Sequence, residues 1–109
     1  MFKRENRLVS GARFGKSYFF SAPEFVLKER KNELLRNRFG IVVSKKIDKR
    51  AVVRNKIKRI FRDALVNLNK NMTVGHDMLF IVRAGVLKKT KEETQGIIKN
   101  VIEKAGFIK

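Results

Sequence analysis

The segment from Lys45 to Arg62 contains the residue types most able to do chemistry. It carries nine basic residues in eighteen positions, opposed only by Asp48. A solvated helix usually mixes charge signs to gain pairs between residues four apart, whereas crowded like charges repel one another. A segment that keeps this cost is typical of a surface that binds a polyanion, with cations contacting phosphate groups.

The spacing of this segment predicts a helix from about Arg50 to about Leu68, with Asp48 as its N-cap. One stripe of the helical wheel is apolar and faces a core, and it contains Val53, Ile57, Ile60, Phe61, Ala64 and Leu68. The opposite side and its borders are polar or cationic, and they contain Arg54, Asn55, Lys56, Lys58, Arg59 and Arg62. Each of these six side chains can contact an RNA phosphate or a ribose hydroxyl. Lys45 and Lys46 extend the same surface.

The composition limits which classes of protein this chain can belong to. The chain has 109 residues, a net charge of +17 and 43% hydrophobic residues, so it can form one basic globular domain. It contains no cysteine, which excludes disulfides and thiolate metal sites. No apolar run approaches the roughly 18 residues of a membrane span. We expect a cytoplasmic protein without a membrane partner.

The residues argue against an active site within the chain itself. Cleavage of a phosphodiester needs a paired acid and base or carboxylates that hold metal ions. There is a single histidine, His76, and the ten acidic residues are scattered. Asp77 adjoins His76, but neighbouring residues of a strand point to opposite faces. No glycine-rich phosphate loop is present. We therefore expect no catalytic residue and no metal ligand.

The order of apolar segments predicts an α+β domain spanning residues 1–109, with helices packed on a small sheet. Thr90 and Glu93 fit a capping box that opens the last helix. The run MLFIV, Met78 to Val82, is typical of a central strand covered on both faces. The remaining predicted elements are a short helix over Asn6–Phe14 and strands over Ser17–Ala22, Glu24–Glu29 and Arg38–Ser44.

Aromatic residues divide into two groups. Phe25, Phe61 and Phe80 lie in apolar context and are predicted core residues. The N-terminal segment is too polar to bury all of its own rings, so Phe14 or Tyr18 is a candidate for stacking on unpaired bases.

The run from Phe39 to Leu65 resembles the signature region of the bacterial ribonuclease P protein component. The family pattern appears as Arg54-Asn55-Lys56, Lys58-Arg59 and Arg62 after a strand that ends in Ser44-Lys45-Lys46. Further similarity covers Asn6-Arg7-Leu8, the strand Asp77 to Ala84 and the closing helix from Thr90 to Ile102, which is nearly the whole chain.

The resemblance implies a fold and a division of labour. The fold would be an α-β sandwich of a small mixed sheet and three helices, in which the basic helix joins two parallel strands by a left-handed crossover. The chemistry would lie on an RNA subunit that uses magnesium to hydrolyse precursor tRNA at the mature 5′ end. The protein would bind no cofactor itself. Its partners would be that catalytic RNA and precursor tRNA, and not DNA.

The resemblance also implies site residues. The catalytic RNA would contact the basic helix together with Ser44, Lys45, Lys46, Lys49 and Arg50. The single-stranded 5′ leader of the precursor would lie in a cleft lined by Phe14, Tyr18 and Lys28. Lys28 stands where the family often has an aromatic residue. Two alignments of the shortened N-terminal segment remain open: the paired aromatic positions fall on Phe14 and Tyr18, or on Ser10 and Phe14.

The sequence departs from the family pattern at Lys56, which replaces the second arginine of the family tripeptide. Lysine keeps the charge but lacks the planar guanidinium fork.

The same basic surface has an alternative interpretation: a ribosomal or general RNA-binding protein without a role in cleavage.

Overall fold

Four strands and two α-helices make up the computed structural model, which describes residues 18–108. Among these residues the strands are β1 (Tyr18–Ser21), β2 (Phe25–Lys31), β3 (Arg38–Val42) and β4 (His76–Val82), and the helices are α1 (Ala51–Asn69) and α2 (Lys91–Lys104). A short 3-10 helix, Ala84–Lys88, follows β4. The α+β prediction is confirmed. The predicted helix Asn6–Phe14, the third of the three, lies outside the described residues.

The four strands form one mixed sheet in the order β1-β2-β4-β3. β2 pairs antiparallel with both β1 and β4, whereas β3 and β4 are parallel. A parallel pair needs a crossover, and α1 supplies it. The left-handed sense of this crossover stays a prediction.

β4 is central in the sheet, as its apolar run predicts, but its two faces differ. Met78, Phe80 and Val82 are buried on one face, whereas Leu79 and Ile81 are half-buried on the other. The prediction of complete cover on both faces was therefore too strong. We call the face that carries Phe80 the core face and the face that carries Leu79 the open face.

Buried residues of both helices belong to one hydrophobic core together with the core face of the sheet. Phe25 from β2, Phe61 from α1 and Phe80 from β4 are fully buried, and their ring centroids lie 5.4 to 5.9 Å apart. Tilted and edge-on aromatic pairs at such distances add to the stabilisation from area burial. The predicted core roles of these three rings are confirmed, and α1 is thereby fixed with its cationic side outward.

The helix starts differ in how well the sequence predicts them. Thr90 caps α2 as expected: its Oγ1 accepts from the Glu93 amide at 3.1 Å, and Glu93 accepts from the Thr90 amide at 2.9 Å. The prediction that Asp48 caps α1 was wrong. The N-cap residue is Arg50, and no side chain caps the first turn of α1. Asp48 Oδ1 instead accepts from the Arg50 amide at 2.8 Å, a hydrogen bond that lies before the helix.

Candidate nucleic-acid interface

The outward side of α1 carries the predicted polar and cationic residues. Asn55, Lys56 and Arg59 are exposed, and Lys58 and Arg62 are half-buried. The only acidic residue of α1 is Asp63. Within residues 18–108 it forms no ion pair with these cations. Their charge is therefore not neutralised by the helix that carries them.

Arg54 has a second task, which the spacing did not reveal. Its Nη1 donates to the backbone carbonyl of Asp48 at 3.0 Å and to that of Lys49 at 2.8 Å. These carbonyls belong to the loop that precedes α1. The half-buried Arg54 side chain thus holds the loop against the helix while adding its charge to the surface.

Arg50 is paired with Asp48 in the same loop. Its Nε and Nη2 donate to the two Asp48 carboxylate oxygens at 3.1 and 3.0 Å. Hydrogen bonds from the Arg50 side chain and amide lower the pKa of Asp48 to about 2, so the pair stays ionised at neutral pH. Asp48 thus offsets one charge of the basic segment and orders its turn.

The end of β3 leads directly into this loop. Ser44, Lys45, Lys46 and Lys49 are all exposed, and the Ile47 amide donates to the Ser44 carbonyl at 3.0 Å to close a turn. The structure therefore brings the two predicted groups into one surface. We call residues 44–62 the cationic surface.

The predicted leader cleft is only partly brought together. Lys28 lies on the open face of β2, in register with Phe19 of β1 and Leu79 of β4. Tyr18 lies on the opposite face, and its ring packs edge-on against Phe107 with centroids 5.7 Å apart. Tyr18 is thus not a neighbour of Lys28. Phe14 lies outside the described residues.

The aromatic residue beside Lys28 is Phe19, which the sequence-based prediction missed. Its side chain is 61% exposed, the largest exposure of a described aromatic ring. Strand alternation contained the signal, because Tyr18 and Phe19 must point to opposite faces and only one of them can share a face with Lys28.

His76 and Asp77 point to opposite faces, as expected. His76 Nδ1 lies 2.6 Å from Glu29 Oε2, and Nε2 lies 2.7 Å from Thr73 Oγ1, in a nearly buried cluster on the core face. Asp77 lies on the open face, where Arg38 donates to it from Nε and Nη2. In the described part of the chain, no three acidic or histidine side chains are placed to hold a metal ion.

None of the helices in residues 18–108 combines the length and apolar content that crossing a bilayer requires. The fold and the surface define a class: a small α+β protein that presents a polycationic loop and helix and also has an open sheet face.

Comparison with known proteins identifies the family within this class. The family model described as Ribonuclease P matches residues 2–106. The chain belongs to the ribonuclease P protein family, so the family resemblance of the sequence is confirmed.

Relatives and solved structures agree. The ribonuclease P protein component of Clostridium botulinum strain 657 is 37% identical over 111 residues, covering 95% of this chain and 97% of the relative. The Staphylococcus aureus RNase P protein superposes with a TM-score of 0.77 at 29% identity, covering 85% of this chain and 84% of that one. The Thermotoga maritima protein, solved with 1-(4-fluorophenyl)-2-thiourea, gives 0.73 at 27% identity, covering 79% and 83%.

Proposed function

We propose that this chain is the protein subunit of a ribonuclease P ribonucleoprotein. In that complex the protein binds the catalytic RNA and the 5′ leader of precursor tRNA. Family membership indicates a part in an endoribonuclease complex that processes tRNA. The observation that carries the proposal is the cationic surface. Its nine basic residues lie in the loop before α1 and on α1 itself, all are exposed or half-buried, and Asp48 is the only acidic residue among them.

The protein's contribution is electrostatic. Each cation that neutralises an RNA phosphate releases a condensed counterion, which makes binding favourable at low salt and weaker at high salt. Lys56 and Arg59 are exposed and lie three residues apart on the same side of α1, so they can reach adjacent phosphates of a folded RNA. Phosphate contacts of this kind fix orientation without reading sequence.

Chemistry is assigned to the RNA. The 5′-end hydrolysis of precursor tRNA would use magnesium held by the RNA subunit, with no cofactor bound by the protein. The protein would act in the cytoplasm by holding the substrate in place. This assignment fits a chain with a single histidine, which itself lies in a nearly buried cluster with Glu29 and Thr73.

The open face is proposed to hold the leader. An exposed ring at Phe19 next to the cation of Lys28 offers base stacking and phosphate contact side by side. Phe14 is proposed to contribute a further ring. Tyr18 is assigned a smaller part, because its ring packs against Phe107.

A matched pair of double variants tests the cationic surface. Lys56→Gln with Arg59→Gln removes two exposed charges from α1, and Lys91→Gln with Lys104→Gln removes two exposed charges from α2. Because the α1 double variant cannot contact two of the phosphates, we expect its slope of log affinity against log salt for a bacterial ribonuclease P RNA to become shallower by about 1.5 to 2. The α2 double variant should keep the wild-type slope. Equal slopes for both double variants would contradict the proposal.

A further inference from the structure

One large apolar side chain of α1 points away from the core. Val52 is 79% exposed, whereas the other large apolar residues of this helix are buried or half-buried. A β-branched residue at an exposed helix position gains no packing and forms helix less readily than alanine. The fold therefore gains nothing from a valine at this position, and the side chain is available to a partner.

Val52 lies at the centre of the cationic side of α1. Asn55, Lys56 and Arg59 follow it by three, four and seven positions, and all three are exposed. At about 100° per residue, all three lie within about 60° of Val52 around the helix axis. The helical rise places Lys56 about 6 Å and Arg59 about 10 Å from Val52 along that axis. The first turn of α1 contains no acidic residue. Val52 is thus an apolar contact point flanked by one amide and two cations.

This combination matches the parts of a nucleotide. A nucleotide has an apolar base face, a base edge with hydrogen-bonding groups, and phosphates on either side. Val52 suits the face, the Asn55 amide can donate to and accept from the edge, and Lys56 and Arg59 suit the phosphates. In an A-form duplex the base faces are stacked and the major groove is too deep and narrow for side chains to read. The matching nucleotide is therefore unpaired.

We infer that Val52 contacts one unpaired base of the catalytic RNA, with Asn55 at the base edge and Lys56 and Arg59 on adjacent phosphates. The inference rests on the proposed function, because it assumes that the cationic surface binds that RNA. The contact with Val52 does not depend on charge. It lets the surface distinguish a folded RNA that presents such a base from another polyanion of equal charge.

Salt titration separates this contact from the electrostatic ones. The logarithm of the binding constant falls linearly with the logarithm of the salt concentration, and the number of neutralised phosphates sets the slope. Extrapolation to about 1 M salt gives the part of the affinity that does not depend on counterion release. The full-length protein is titrated with a bacterial ribonuclease P RNA and with a fully paired RNA duplex.

Two variants of Val52 and one control are compared. Val52→Thr replaces a methyl group by a hydroxyl and keeps the branching and the net charge, and Val52→Ala removes the branch but favours the helix. Val74→Thr makes the same chemical change at a residue that is 51% exposed, outside the cationic surface and just before β4. Thermal denaturation checks the stability of each variant.

We expect Val52→Thr to bind the ribonuclease P RNA about five- to tenfold more weakly than wild type at every salt concentration, with an unchanged slope. Val52→Ala should lose affinity to a similar extent, while its melting temperature equals or exceeds that of wild type because alanine forms helix better. Both variants should bind the duplex like wild type. Val74→Thr should match wild type on both RNAs.

Three results would overturn the inference, and they are distinguishable. If both Val52 variants bind the ribonuclease P RNA like Val74→Thr, while Lys56→Gln with Arg59→Gln flattens the salt slope, the base contact alone is refuted. An equal loss on the ribonuclease P RNA and on the duplex also refutes the base contact, because the duplex has no unpaired base. If wild type binds the two RNAs equally tightly, the proposed RNA partner is refuted together with the base contact.

Discussion

Replacing Asp77 by asparagine should reveal how much the buried carboxylate stabilises the sheet. The side chain is 0% exposed and accepts hydrogen bonds from Arg30, Asn32 and Arg38. An asparagine has one oxygen, so its amide nitrogen must face donors where the second carboxylate oxygen stood. At least two of the four hydrogen bonds then disappear, and two guanidinium groups lose their counter-charge.

The size of the effect follows from the burial. Breaking a buried ion pair by removing one partner costs about 3–5 kcal/mol, and solvent screening of the partly exposed arginines reduces this. We expect a loss of about 3 kcal/mol in the free energy of unfolding at pH 7. For a domain of this size that corresponds to a melting temperature lower by roughly 10–20 °C. Urea and thermal denaturation followed by circular dichroism measure both quantities.

The pH dependence gives a second check with a definite sign. Burial raises the pKa of Asp77, but hydrogen bonds from Arg38, Asn32 and Arg30 outweigh it and leave the pKa lowered. A carboxyl whose folded pKa is lowered stabilises the fold above its unfolded pKa near about 3.9 and loses that contribution as the pH falls below it. The stability gap between wild type and Asp77→Asn should therefore be constant from neutral pH to about pH 5 and narrow below about pH 4.

Asp63→Asn is the matched control for this prediction. It makes the same chemical change on α1, at a half-buried carboxyl outside any ion pair in the described part of the chain. Its stability should stay within about 0.5 kcal/mol of wild type, as is usual for such positions. The stabilising role of Asp77 is refuted if Asp77→Asn loses no more stability than Asp63→Asn at pH 7. It is also refuted if the difference in free energy of unfolding between wild type and Asp77→Asn increases as the pH falls.

Three further predictions concern α1, the leader and a close backbone contact. Arg54→Ala and Arg59→Ala should flatten the salt slope of RNA binding equally, but only Arg54→Ala should also lower stability, by about 1–2 kcal/mol in urea denaturation, because it alone bonds the loop carbonyls. Phe14→Ala should weaken holoenzyme binding of precursor tRNA and spare mature tRNA in filter binding; equal losses would count against a leader contact. Gly85→Ala should lower the melting temperature, since an added Cβ would lie 2.3 Å from the Pro23 carbonyl oxygen; an unchanged melting temperature would mean that this turn yields freely.

Local pattern was sufficient to predict α1, β4 and the start of α2. The apolar stripe of α1, the MLFIV run as a strand and the Thr90 capping box each depend on residues close together in sequence, and each was confirmed, although the complete cover predicted for both faces of MLFIV was not. Asp48 shows the limit of such rules. It has the residue type of a helix cap, but its carboxylate is occupied by the amide and guanidinium of Arg50 in the preceding turn.

The open face could not be predicted in the same way, because it depends on strand order. The cluster of Arg30, Arg38 and Asp77 forms only because β4 lies between β2 and β3. In the sequence, Asp77 and Arg30 are 47 residues apart. The exchange of Tyr18 for Phe19 beside Lys28 has another cause. It follows from the register of β1, where a shift of one residue reverses every side chain.

Reconstitution tests the central claim most directly. A labelled precursor tRNA is incubated at low magnesium with this protein alone, with a bacterial ribonuclease P RNA alone, and with both. We predict cleavage at the mature 5′ end only when both are present. Cleavage by the purified protein alone would contradict the assignment of chemistry to the RNA. Tight RNA binding without stimulation of cleavage by any well-matched ribonuclease P RNA would contradict the subunit role and favour a general RNA-binding protein.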